Sequence, residues 1–95
     1  MAIVRIIRPE GTTREMYDAV DAKINIGAEP PTGLIVHTAG EVDGQWQVVD
    51  VWESKEDAER FDNERLIPAI TEVAGPGGPQ GPPMSVYEAH NVVRP

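Results

Sequence analysis

Hydrophobic and polar positions change period several times along the chain, and each change marks an element. Ala2 to Arg8, AIVRIIR, is short and rich in β-branched residues, which predicts a first strand ended by Pro9 and Gly11. In TTREMYDAVDAKIN, the residues Met16, Ala19, Val20, Lys23 and Ile24 recur at helical spacing, an apolar stripe with a lysine stem at its edge. Thr12 is the expected cap of this helix, with Glu15 three residues on as in a capping box. IGAEPPTG, with two prolines and two glycines, reads as a loop. Gly33 to Ser54, GLIVHTAGEVDGQWQVVDVWES, then alternates with period two around Asp43-Gly44, a pair favoured in type I′ turns, and predicts a β-hairpin. Ser54 caps a second helix, KEDAERFDNERL, with Asp57 three positions later. Ala58, Phe61 and the stem of Arg65 are expected to face inward. Pro68 should kink or break that helix, and AITEVA adds a short last piece. Gly75 to Pro83, GPGGPQGPP, has no periodicity and serves as a linker or as a flap over a pocket. MSVYEAHNVV is the fourth strand.

The β-α-β-β-α-β order predicts one α+β, ferredoxin-like domain over residues 1–95, a four-stranded antiparallel sheet with both helices on one face. The Asp43-Gly44 turn sets the hairpin register. It puts His37 opposite Asp50, Ile35 opposite Trp52, Ala39 opposite Val48 and Glu41 opposite Trp46, all on one face. Leu34, Val36, Thr38, Val49 and Val51 take the other face, joined by Val4 and Ile6. This smoother face is the one expected under the helices. The first face also carries Ile3, Arg5 and Ile7, and is too apolar to leave in water. At about 25 cal/mol per Å², covering it contributes several kcal/mol, and a second copy packed sheet to sheet would supply the cover. A homodimer enclosing a shared interior is therefore expected. On the fourth strand Val86, Glu88 and His90 are assigned to that interior or its rim, because buried polar groups without partners are costly. Tyr87 and Ala89 then point toward the helices; a slip of the strand would exchange the two sets.

Composition narrows the functional classes. At 95 residues, with 40% hydrophobic and 25% charged positions, the chain has an ordinary globular make-up. A net charge of −8 disfavours nucleic acid and anionic membranes as partners. With no cysteine, disulfides and thiolate chemistry are excluded. MAIVRIIRPE is broken by Arg5 and Arg8 and does not read as a signal peptide, and no run approaches a membrane span, so a cytoplasmic location is expected. No phosphate loop, dinucleotide fingerprint or nucleophile elbow is present.

The chemistry concentrates on the hairpin. A carboxylate beside an imidazole orients the ring, fixes its tautomer and stabilises the cation formed on proton transfer. His37 is thus a candidate general base with Asp50 as its orienter, acting on a phenol or an activated carbon acid. Trp46 and Trp52 are candidate flat walls for a hydrophobic small-molecule ligand, Arg5 a candidate for neutralising an oxyanion or pairing with Asp50, and Tyr87 and His90 further candidates for ligand contact. The same residues also suit purely structural roles: cross-strand His–Asp contacts fix register, and tryptophans fill cores and interfaces. His37, Asp50, Glu88 and His90 are ligand types for a two-histidine carboxylate centre, but they lie on separate strands with no local spacing. No metal and no cofactor is therefore expected.

The stretch GLIVHTAGEVDGQWQVVDVWESKEDAERFDNERLIPAI resembles small bacterial proteins grouped with the antibiotic biosynthesis monooxygenases of the dimeric α/β-barrel superfamily, most specifically in its W-x-V-x-D-V-W-E-S run and in ERLIP. The resemblance covers most of the chain and is weakest at GPGGPQGPP. It implies the ferredoxin-like fold and the sheet-to-sheet dimer. The superfamily's activities include cofactor-free oxygenation of anthrones and quinols, polyketide cyclisation, muconolactone isomerisation and haem degradation, so the resemblance does not select a reaction. Haem degradation is the least expected, because those relatives carry their histidine ligand on a helix and neither histidine here lies on one. The expectation is a cofactor-independent monooxygenase-like enzyme for an aromatic or polyketide-type molecule. A cyclase or isomerase using the same base, or a ligand-binding dimer without catalysis, stands beside it.

Overall fold

The computed structural model describes residues 1–75 and 84–95, and the chain runs in the expected β-α-β-β-α-β order. Strand β1 (Ile3–Ile7) leads to helix α1 (Arg14–Ile24). Strands β2 (Leu34–Val42) and β3 (Gln45–Trp52) form the hairpin. Helix α2 (Lys55–Phe61), a π-helical turn (Asp62–Leu66) and helix α3 (Ile67–Ala74) make one continuous helical segment, and β4 (Met84–Glu88) closes the sheet. The sheet order is β2-β3-β1-β4, with the pairs β2–β3, β1–β3 and β1–β4 all antiparallel, which is the ferredoxin-like arrangement. Among the described residues, no helix is long and apolar enough to cross a membrane. All but the first residue of the expected Gly75–Pro83 linker or flap lies outside the described residues.

Local chemistry accounts for the elements. Asp43 and Gly44 adopt φ of 50° and 80°, the left-handed pair of a two-residue type I′ turn. Gly33 enters β2 at φ 87°, and a Cβ there would lie 2.3 Å from the carboxylate of Asp57, so only glycine fits between the hairpin and α2. Ser54 caps α2 as expected, its Oγ accepting from Asp57 N at 3.2 Å. The α1 cap is one residue later than expected: Thr13, not Thr12, accepts from Met16 N at 3.2 Å. Pro68 does not break the second helix. It lies just after the chain widens into the π-helical turn, and that widening accommodates the proline ring and its missing N–H within the continuous segment. Arg65, expected to pack its stem inward, lies over the Phe61 ring at 5.7 Å and donates to the Ile24 carbonyl at 2.6 Å, tying the π-helical turn to the end of α1.

The main correction concerns which face of the sheet the helices cover. The core cluster joins Ile3 and Trp52 of the sheet to Ile24, Ala58, Phe61 and Ala69 of the helices, so the face of Ile3, Arg5, His37, Asp50 and the two tryptophans is the covered one. Val4, Ile6, Val36, Thr38, Val49, Val51 and Tyr87 form the uncovered face, where Val36 is 45% and Tyr87 55% exposed. The smoother face was expected under the helices, but the polar pair is accommodated on the covered face because Tyr17 of α1 bonds His37 and Arg5 of β1 reaches Asp50. Meanwhile the largest apolar side chains gain most from the thickest cover; Trp52 is 1% exposed. A dimer can no longer be argued from the His37 face. The α1 stripe is rotated as well: Met16, Tyr17, Val20, Asp21 and Ile24 line the interior, while Ala19 and Lys23 are exposed and Lys23 pairs with Glu72 at 2.8 Å.

The hairpin register holds at His37–Asp50, Ala39–Val48 and Glu41–Trp46, but Trp52 pairs with Leu34 and not with Ile35. A bulge at Ile35 shifts the start of β2 by one residue, and Leu34 thereby joins the core it was expected to reach from the opposite face.

Candidate active site

The second helical segment and α1 stand off the sheet far enough to leave a cavity of about 360 Å³ between the two layers. Its lining is mostly apolar, with Ile7, Val20, Val48, Phe61, Leu66 and Ile70 among the contributors. Ile67 and Met84, 46% and 50% exposed, contribute to its lining at the surface. Polar groups gather on one wall. They come from four elements: Arg5 from β1, Tyr17 and Asp21 from α1, His37 from β2, and Asp50 from β3, with Asp62 added by the π-helical turn.

These side chains form one hydrogen-bonded line. The register of the hairpin sets His37 and Asp50 side by side, and His37 Nδ1 meets Asp50 Oδ1 at 2.6 Å. A carboxylate only accepts, so Nδ1 carries the proton and Nε2 is left to accept. Tyr17 supplies that donor, its Oη lying 2.6 Å from His37 Nε2. The other Asp50 oxygen accepts from Trp52 Nε1 at 3.4 Å and from Arg5 Nη2 at 3.5 Å. Arg5 in turn grips Asp62 with both terminal nitrogens, at 2.7 and 3.2 Å. Arg5 and Asp50 are 4% and 3% exposed. Burial pushes the Tyr17 phenol up from 10.0 to about 12, with the charges of Asp21, Asp50 and Asp18 adding to the rise. Trp46 Nε1 and Arg5 Nε are buried without a hydrogen-bond partner among the described residues, so packing holds this wall at some cost in hydrogen bonding.

The sequence candidates divide cleanly. His37, Asp50, Arg5 and Trp46 meet at the cavity, with Trp46 tilted against Tyr17 at 5.3 Å between ring centres. Trp52 does not line it; it packs on Phe61 at 5.3 Å, under the Arg5 guanidinium, and steadies Asp50. Val86 and Glu88 share a face with Arg5 and Ile3, as expected, yet both are exposed. Tyr87 points away from the helices, contrary to expectation, and His90 lies beyond the end of β4 on the surface. Neither reaches the cavity. Among the described residues no three metal-type ligands converge.

Two participants were missed. Tyr17 stands three residues before Val20 and seven before Ile24, so helical spacing alone places it on the covered stripe. Asp62 had no comparable signal, because its orientation depends on the π-helical turn.

No protein-family model matches the chain, and no curated protein matches its sequence. Solved structures do. A proposed antibiotic biosynthesis monooxygenase of Deinococcus radiodurans superposes with a TM-score of 0.65 at 13% identity, over 99% of this chain and 97% of that one. SnoaB, a cofactor-independent oxygenase of Streptomyces nogalater, crystallised as its N63A mutant, gives 0.61 at 14% identity over 97% and 94%. MhuD, a haem-degrader of Mycobacterium tuberculosis, gives 0.60 at 19% over 99% and 100%. The fold is therefore that of the antibiotic biosynthesis monooxygenase-like proteins. At these identities the likeness extends to the fold and leaves the reaction to be argued from the site.

Proposed function

We propose that the protein is a cofactor-independent monooxygenase-like enzyme in which His37 is the general base for a hydrophobic aromatic or polyketide-type substrate bound in the cavity. The observation that carries this reading is the Tyr17–His37–Asp50 line at the only strongly polar wall of an apolar cavity among the described residues. Its volume of about 360 Å³ is at the lower end of the range for small-molecule sites, about 300–1,000 Å³, and suits a molecule of two or three fused rings. Because Tyr17 occupies His37 Nε2, the substrate proton passes to the Tyr17 oxygen as the Tyr17 proton passes to Nε2. The high pKa of Tyr17 suits this role, since no free tyrosinate need form. The resulting imidazolium is held by Asp50. Tyr17 and His37 also border a shallow, solvent-open groove, lined further by Asp21, Ile26 and Leu34, which offers the proton an exit. The substrate anion then passes one electron to dioxygen, its co-substrate; the substrate radical and superoxide join in a carbon–oxygen bond, the peroxide takes back the proton held at His37, and loss of water leaves one oxygen atom on the substrate as a carbonyl. The uncovered sheet face, rich in Val36, Val49, Val51 and Tyr87, supports pairing with a second copy; each site would lie inside its own subunit.

The test is dissolved-oxygen uptake with a panel of anthrones and quinols, comparing wild type, His37→Ala and Tyr17→Phe. Uptake that needs His37 supports the oxygenase. A change in substrate absorbance without uptake, still needing His37, would replace it with a cyclase or isomerase using the same base. Uptake undiminished in His37→Ala would remove the base assignment.

A further inference from the structure

Tyr17, His37 and Asp50 stand in series, Oη lying 2.6 Å from Nε2 and Nδ1 lying 2.6 Å from Oδ1. That is the order of a hydrolytic triad: a hydroxyl, an imidazole able to take its proton, and a carboxylate that fixes the ring and steadies the cation. Trp52 Nε1 and Arg5 Nη2 hold the other Asp50 oxygen, which keeps the carboxylate beside His37. Tyr17 lines the cavity, and its one hydroxyl proton goes to His37, so the oxygen keeps its lone pairs for an electrophile. Trp46 packs on the Tyr17 ring at 5.3 Å and has an indole N–H buried without a partner among the described residues.

We propose that Tyr17 is also a nucleophile, and that the protein hydrolyses aryl esters of small acyl groups through an acyl-Tyr17 intermediate. As Oη bonds to the acyl carbon, its proton moves to His37 Nε2. The Trp46 indole N–H is the donor at hand for the oxyanion. Collapse of the adduct breaks the bond to the aryl oxygen, which leaves with the proton from His37. A water molecule then gives a proton to His37 and attacks the acyl carbon; the Tyr17 oxygen departs, recovers that proton, and the acid is released. Nothing is oxidised or reduced. The raised pKa of Tyr17 suits the first step, since the oxygen stays protonated until attack and is then more basic than an ordinary phenoxide. The leaving group is limited by the nucleophile. An acyl-tyrosine is itself an aryl ester, so Tyr17 exchanges acyl groups evenly with aryl esters but only uphill with alkyl esters. The cavity of about 360 Å³ has room for a naphthyl ester.

Two probes used under nitrogen, which silences any oxygenase reaction, test this. The first, 1-naphthyl methylcarbamate, leaves a slowly hydrolysed carbamoyl group that peptide mass spectrometry locates. Exposed Tyr87 is the internal control. The expected result is that Tyr17 is labelled at least about 100-fold faster than Tyr87, and that His37→Gln lowers Tyr17 labelling about 100-fold, the share of a general base. The second, 1-naphthyl acetate, releases 1-naphthol with turnover that Tyr17→Phe abolishes, while the alkyl ester 1-naphthylmethyl acetate is not turned over. An unlabelled Tyr17, or one labelled no faster than Tyr87 or equally well in His37→Gln, overturns the nucleophile. So does release of 1-naphthol that persists in Tyr17→Phe, or equal turnover of the alkyl ester. Oxygen uptake by the aerobic protein is a separate measurement, so either reading can fail alone.

Discussion

Tyr17 offers the sharpest check on the site, because its environment has a measurable signature that needs no substrate. Its pKa is raised from 10.0 to about 12, by burial first and by Asp21, Asp50 and Asp18 after that. The sign follows from linkage. Between these two values the folded protein holds a proton on Tyr17 that the unfolded chain has released, so stability falls as pH rises through the window. The contribution is fully present below pH 10 and lost above about 12. At about 1.4 kcal/mol per pH unit it amounts to about 2–3 kcal/mol, an upper bound since part of the ring meets solvent. Tyr17→Phe lacks this term and also lacks the bond to His37, worth about 0.5–1.5 kcal/mol. Wild type should therefore be the more stable at neutral pH by about 1 kcal/mol, with the difference closing and then reversing toward pH 12. Urea denaturation of both proteins at a series of pH values measures it. In a Tyr87→Phe background Tyr17 is the sole tyrosine, and its ultraviolet titration reads the ionisation directly. Parallel stability curves for wild type and Tyr17→Phe across the window, or a titration midpoint at 10, would refute both the burial of the phenol and its place in the line.

Other consequences are equally open to measurement. Arg5→Met removes the cation between two carboxylates, one of them fully buried, and should cost about 3–5 kcal/mol in urea denaturation; a loss below about 1 kcal/mol would show that the pairing is dispensable. Adding Asp62→Asn to Arg5→Met should recover part of that loss, since one stranded charge is then gone. On the uncovered sheet face, Val36→Lys with Val51→Lys should convert a dimer to a monomer in light scattering with the helical content intact, and an unchanged mass would exclude this face as the contact.

Much of the fold was legible because it rests on local chemistry. Asp43-Gly44 dictates the turn, the turn sets the period-two register, and the register alone brings His37 to Asp50. Ser54, Pro9 and the apolar spacing of the helices mark their ends with similar economy. The pairing of the candidate base with its orienter therefore belongs to the amino-acid sequence. The errors share one cause. Both faces of this sheet are apolar, and no local rule states which of two apolar faces a helix layer will choose. The choice depends on the whole set of contacts. Trp52 and Ile3 bury more against Phe61 and Ile24 than the valines could, and the polar pair is tolerated there because Tyr17 and Arg5 arrive from other elements to satisfy it. The bulge at Ile35, the rotation of α1 and the π-helical turn that delivers Asp62 are of the same kind. Each is a small local deviation selected by packing far along the chain. What the sequence determined was the order of elements and the His37–Asp50 register, since neighbouring residues suffice for both. What only tertiary structure decided was that this pair faces a cavity beneath the helices, because enclosure is a property of layers and not of residues.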